Sequence, residues 1–183
     1  MIIPQRPLGQ ALRRWRSLNR VKQSHAAELF GVDQSTVSRW ECGILDMTGV
    51  QRVRAETLLG AKLSSAGDAA LARLVEQSSA GAHLMCDYSH RLLALSSTRR
   101  REFGIDADAL MGRSLWPFIT EELAEIETSL EAQGWFDLAS PPSLIAFTGE
   151  NSSDIVPIIP SHCRLTRLIL SDGAPVRLIE TLN

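Results

Sequence analysis

The chain has 183 residues, 44% of them hydrophobic and 22% charged, with a formal net charge of −2. That length allows one large domain or two small ones, and the apolar content suffices for buried cores, so a disordered chain is excluded. The charge is uneven: residues 1–80 hold eleven Lys and Arg against seven Asp and Glu, a balance of +4, while residues 81–183 hold eight against fourteen, a balance of −6. A basic front and an acidic back suit a nucleic-acid-binding domain joined to a module that stays off nucleic acid. Cysteine is sparse (Cys42, Cys86 and Cys163) and forms no C-x-x-C pair, so neither a disulfide framework nor a zinc site is expected, and a reducing cytoplasm is the expected compartment. Met1 is followed by Ile2, Ile3 and Pro4 with no apolar run of signal-peptide type. No stretch approaches the roughly 18 apolar residues that cross a bilayer, so no membrane partner is expected.

The first eighty residues predict helices. Leu8, Leu12, Trp15 and Arg16 recur at helical spacing, and this first helix should stop near Asn19-Arg20, with Asn19 supplying the left-handed residue. A short second helix carries Ala26, Ala27, Leu29 and Phe30 and ends at Gly31. Asp33 then caps a third, from Gln34 to Cys42, closed by Gly43. Thr48 and Gln51 are spaced as a capping box for a fourth helix bearing Val50, Val53, Leu58 and Leu59. After the small-residue stretch 64–67, a connecting segment over 68–77 puts Leu71, Leu74 and Val75 on one face. That stripe is expected in a dimer seam, with the underside of a sheet as the alternative. Past residue 81 the pattern becomes strand-like at 83–86 and 91–95 and helical in the middle, where Thr120 caps a helix over 121–133. It is strand-like again at 143–148, 164–170 and 176–181, and the turn 171–174 makes the last two strands a hairpin.

The strongest motif spans Val21 to Gly43: two short helices about a tight turn. Gly31 can take the positive φ the turn needs, Val32 and Val37 plug the angle between the helices, and Ala26 and Ala27 let them approach closely. The outward positions of the second helix are then Gln34, Ser35, Ser38 and Arg39, polar groups suited to base edges. Trp15 and Trp40 are expected in the core, Arg13 and Arg14 on a solvated face, and His25 on the surface.

From about Leu8 to Leu59 the chain resembles the lambda-repressor/Cro-like (XRE-type) helix-turn-helix family. Gln23, Ala27, Gly31-Val32 and the run from Ser35 to Glu41 before Gly43 carry the resemblance. It implies that the helix from Gln34 enters the major groove, with Gln34, Ser35 and Arg39 contacting bases; Ser38, outward on the same helix, is expected to join them. It also places Gln23 at the DNA backbone and Arg16 and Glu41 in a buried ion pair; Thr36 and the cations Arg20 and Lys22 are expected at the backbone as well. The sequence departs from the family at Arg20, where glycine is usual, and at Lys22, where Ser or Thr is usual.

The remaining hundred residues resemble a PAS domain. Arg91 to Ser96, then Phe103-Gly104, then Ala109 to Ile119 carry that likeness; Ser96-Ser97 replaces the Asn often found after the second strand. The resemblance implies a five-stranded antiparallel sheet with its helices between the second and third strands, serving sensing or dimerisation. No His lies on the helix over 121–133, which disfavours haem, and no Cys lies over 97–112, which disfavours a flavin adduct, so no cofactor is expected. His83, Cys86, His162 and Cys163 are strand filler, and Trp116, Phe118, Trp135 and Phe136 are core residues with a pocket as the alternative. Neither a nucleophile elbow nor a phosphate-binding glycine loop is present, so an enzyme is not expected.

The expected fold is thus α+β: an all-α helix-turn-helix domain over 1–63, a linker and connecting helix over 64–80, and an α+β PAS-like domain over 81–183. The expected function is a homodimeric, sequence-specific DNA-binding transcription regulator reading a palindromic operator, since one recognition helix reads too few base pairs alone. A small-molecule ligand or a protein partner is admitted at the PAS-like half. The alternative is a protein-interaction module of antitoxin or anti-repressor type.

Overall fold

The computed structural model describes residues 8–104, 107–137 and 140–182, with Glu131 described by its backbone alone. Met1 to Pro4, on which the reading of the N-terminus rests, lie outside them. The fold is mixed α+β, with seven α-helices and one five-stranded antiparallel sheet among the described residues. The chain divides into two units between Gly60 and Ala61.

The first unit holds α1 (Leu8–Leu18), α2 (Gln23–Phe30), α3 (Gln34–Glu41) and α4 (Gly49–Leu59). Its core gathers Leu12, Ala26, Ala27, Phe30, Val37, Trp40, Ala55 and Leu59. Burying a side chain such as Leu12 contributes about 1.5–3 kcal/mol. Phe30 and Trp40 meet edge to face with ring centroids 5.7 Å apart. α1 can lie against the end of α3 because Gly9 has no side chain: a Cβ there would stand 1.9 Å from the carbonyl oxygen of Trp40.

α1 and α2 end in the same way. The Val21 N–H reaches back to the Arg16 carbonyl (2.8 Å) and the Arg20 N–H to that of Ser17 (3.2 Å). After α2, Val32 bonds to Ala27 (3.0 Å) and Gly31 to Glu28 (3.2 Å). Such closures need a left-handed residue. Gly31 supplies it at φ +65, and after α1 it is Arg20, at φ +55, rather than the expected Asn19. Asn19 instead turns its side-chain amide back to the Trp15 carbonyl (2.8 Å).

Two expected caps are not made. Asp33 and Thr48 occupy the N-cap positions of α3 and α4, yet neither side chain bonds the helix end. The Thr48–Gln51 box fails where Gly49 takes φ +54, outside the right-handed region that a capped first turn requires. A box does close at the next helix, α5 (Ala66–Glu76), between Ser65 and Asp68.

α5 belongs to the second unit. Its buried face is Asp68, Ala72 and Val75, packed towards β1 and β2, while Leu74 is 68% exposed. The expected stripe of Leu71, Leu74 and Val75 is therefore split: a helix turning 100° per residue presents i, i+4 and i+7 together, which here selects 68, 72 and 75.

The sheet comprises β1 (Ala82–Cys86), β2 (Leu92–Leu95), β3 (Leu144–Phe147), β4 (His162–Ile169) and β5 (Pro175–Leu182), in the order β2-β1-β5-β4-β3. Between β2 and β3 come α6 (Ser97–Glu102), two 3₁₀ turns and α7 (Glu121–Ala132), so the helical insertion falls where the resemblance implies. The Thr120 hydroxyl accepts the Leu123 N–H at 3.2 Å, capping α7 as the sequence predicts.

Strand alternation gives the sheet two faces. His83, Met85, Cys163, Leu165, Arg177, Ile179 and Thr181 all border one cavity, whereas Leu84 and Cys86 point the other way and are fully buried.

Candidate functional site: a polar helix face and a cavity

In the first unit the chemistry centres on Glu41, buried at the end of α3. Arg16 of α1 closes on it with two bonds, Nε to Oε1 at 2.8 Å and Nη2 to Oε2 at 2.9 Å, and Nη1 donates to the Val21 carbonyl at 3.0 Å. The hydrogen bond to Glu41, strengthened by its charge, raises the Arg16 pKa above its ordinary value against the opposing effect of burial. Gln23, the first residue of α2, donates to Glu41 Oε2 at 2.9 Å, and Gln34 approaches Gln23 Oε1 at 3.5 Å. One carboxylate thus ties α1, α2 and α3 together through groups far apart in sequence.

With Val37, Trp40 and Glu41 turned inward, the opposite side of α3 is set. Gln34, Ser35 and Arg39 are exposed, and Ser38 and Thr36 are half-buried. Arg20 and Lys22 are exposed at the turn before α2, and Gln23 is half-buried. His25 is a surface residue beside Glu28, at 3.3 Å. The polar residues singled out in the sequence therefore lie on α3 or about the start of α2, and Arg16 and Glu41 are paired.

The second unit carries a cluster that the sequence reading missed. Arg167 and Arg177 stand directly opposite each other on β4 and β5, on the face turned from solvent. Like charges in that position destabilise a sheet unless countered. Asp87, fully buried in the turn after β1, accepts from Arg167 Nε at 2.9 Å and from Arg177 Nε at 2.8 Å. The Trp135 indole N–H donates to the same carboxylate at 3.2 Å, and Glu127 of α7 accepts from Arg177 Nη1. Two acids thus balance two guanidiniums. Burial would raise both carboxyls, but Arg177 and Arg167 at Asp87, and Arg177 with His90 at Glu127, outweigh it and hold both below the usual carboxylate range.

Beside this cluster lies a partly open cavity of about 280 Å³. Its walls are mainly apolar, from Met85, Phe103, Phe118, Leu123, Leu165 and Ile179, with His90, Trp116, Arg99 and Thr148 among the polar contributors. The His90 and Trp116 rings are 4.7 Å apart, and His90 Nε2 is 3.5 Å from Glu127 Oε2. His83 is pushed down to about 3 by burial and by the nearby Arg99 and Arg177, so its imidazole is neutral near pH 7. Of the four aromatics in question, Trp116 and Phe118 line the cavity, whereas Trp135 and Phe136 pack with Leu130, Ala146 and Leu165. Among the described residues no group of three or more His, Cys, Asp or Glu is arranged to hold a metal ion.

No family model matches the chain, and no curated protein matches it. Several solved structures are similar to it. The PAS domain of an HTR-like protein from Haloarcula marismortui has 21% identity, with 63% of this chain and 90% of that one covered and a TM-score of 0.44. A sensory box sensor histidine kinase from Vibrio cholerae has 10% identity, with 63% and 90% covered and a TM-score of 0.41. An RNA-binding Light-Oxygen-Voltage receptor has 12% identity and a TM-score of 0.45; the match covers 97% of this chain and 57% of the receptor. With every score below 0.5, none bears on what this chain binds, and the description of the sheet rests on its own strand order. No described helix is long and apolar enough to cross a membrane.

Proposed function

We propose that the chain is a cytoplasmic transcription regulator that binds double-stranded DNA sequence-specifically as a homodimer, with α3 in the major groove and the PAS-like unit serving sensing or dimerisation. The observation that supports this reading is the Arg16–Glu41–Gln23 network. It fixes the roll of α3, so that Gln34, Ser35 and Arg39 are presented together while Val37 and Trp40 are buried. Arg39 has the fork geometry to bond a guanine edge at two points, and Gln34 that for adenine. Arg20 and Lys22 are free-standing cations at the neighbouring helix start, suited to phosphates. A gel-shift titration of the full chain against genomic fragments tests this. A retarded band that survives competitor DNA and weakens steeply as salt rises supports it, and the absence of any such band counts against it.

A second reading, a protein-interaction module of antitoxin or anti-repressor type, draws on Ile44, Leu45, Val50 and Val53. These four apolar side chains are exposed on the loop after α3 and on α4. It predicts protein binding without the salt-dependent DNA band.

A further inference from the structure

Three properties of the cavity in the second unit constrain what it holds. The first is size. A cavity of about 150 Å³ admits benzene, so 280 Å³ admits a molecule of about a dozen non-hydrogen atoms.

The second is charge. The ionic groups on its wall are matched: Arg177 with Asp87 and Glu127, and Arg99 Nη1 with Glu102 at 2.7 Å. A carboxylate or an ammonium inside the cavity would meet Glu127 and Glu102 as well as Arg177 and Arg99, so an ion of either sign gives up its hydration without gaining a net opposite charge. His83 adds no charge. An uncharged guest does not meet that cost.

The third is hydrogen bonding. The Trp116 indole N–H and the Arg99 Nε–H are buried and find no acceptor in the protein. Trp116 is over nine-tenths buried, and its ring is held against His90. Both groups are donors only. A buried donor left unpaired is costly, and both of these lack an acceptor; His83 Nδ1, also buried without a partner, lies on a neutral ring that can donate or accept.

We infer that this cavity is a binding site for an uncharged, largely apolar small molecule of about a dozen non-hydrogen atoms. The guest bears a carbonyl-type oxygen that accepts from Trp116 Nε1, as a medium-chain ketone or lactone would. This inference rests on the cavity alone; it stands or falls separately from DNA binding and deepens only the sensing role of the C-terminal unit.

Isothermal titration and thermal-shift measurements on the full chain, without DNA, test it with four probes of matched size: 2-decanone, nonanoate, decylammonium and pentylbenzene. The expected result is that 2-decanone binds up to about tenfold more tightly than each of the others, the margin of one neutral hydrogen bond. In Trp116→Phe, which keeps a ring but loses the N–H, the margin over pentylbenzene should vanish while pentylbenzene binding persists. Tighter binding of nonanoate or decylammonium would overturn the inference, as would equal binding of pentylbenzene or no binding by any probe. If Trp116→Phe does not fold, selectivity among the four probes on the unaltered chain decides. Ile179→Trp, which fills the cavity, should abolish binding of 2-decanone; retained binding places the site elsewhere and overturns the assignment.

Discussion

Arg16 and Glu41, 25 positions apart, are joined by two parallel hydrogen bonds of 2.8 and 2.9 Å, and the carboxylate also receives Gln23. Because Glu41 is buried and Arg16 half-buried, removing the acid leaves a partly desolvated guanidinium with no counter-charge. Glu41→Ala should cost about 3 kcal/mol, with Glu41→Gln retaining part of the network and losing less. Chemical denaturation of both variants measures this. A midpoint unchanged from the parent would mean the pair does not hold the three helices.

Arg20 sits at φ +55 in the position that closes α1, a conformation that costs a side-chain-bearing residue about 1 kcal/mol. Arg20→Gly should therefore stabilise the first unit by about 0.5–1 kcal/mol, read as a rise in melting temperature. The same change should weaken DNA binding if Arg20 meets phosphate, so stability and affinity should move in opposite directions. A fall in both would contradict the backbone argument.

The two proposed kinds of DNA contact are separable. Arg39→Ala should lose about 1–3 kcal/mol and relax the preference at one base position, whereas Lys22→Ala should weaken binding on all sequences and lower the salt slope by about one ion. Binding titrations on an operator and on its single-base variants distinguish the two. Uniform weakening by Arg39→Ala would make it a phosphate contact.

The acid limb of stability should come from Asp87, Glu127 and Asp68. Asp68 accepts the Ser171 hydroxyl at 2.7 Å and the Ser171 N–H at 3.0 Å besides its own cap, and these bonds hold its carboxyl low. All three have folded-state pKa values below their unfolded ones. Their contribution is thus complete above the unfolded carboxylate range, near pH ~4, and is lost as pH falls below it. Melting temperature against pH should be flat from neutrality to about pH 5 and fall steeply below about pH 4. A chain equally stable at pH 3 and pH 7 would contradict the network.

The parts legible in the sequence were those set by local rules. The α2–α3 turn follows from Gly31, α7 from Thr120, and the strands from their two-residue alternation. The residues about Glu41 were reached through family resemblance, since spacing alone does not bring position 16 to position 41. The cluster around Asp87 was not legible because its members come from the turn after β1, α7, β4 and β5. An arginine within a strand looks solvent-facing until its parity is compared with its neighbours'. The available signal was that Arg167 shares parity with Cys163 and Leu165, and Arg177 with Ile179, which puts both inward. The cap at Ser65 was missed because 64–67 looked like linker.

Selecting bound duplexes from a random library with the full chain, and sequencing them, tests the proposal that α3 reads DNA for a dimeric protein. The expected result is an enriched palindrome whose half-sites lie about 34 Å apart, one helical turn or a multiple of it. Arg39→Ala should lose the preference at a single position in each half-site. Recovery of no motif, at a salt concentration where the folded chain is shown to be intact, would contradict the proposal.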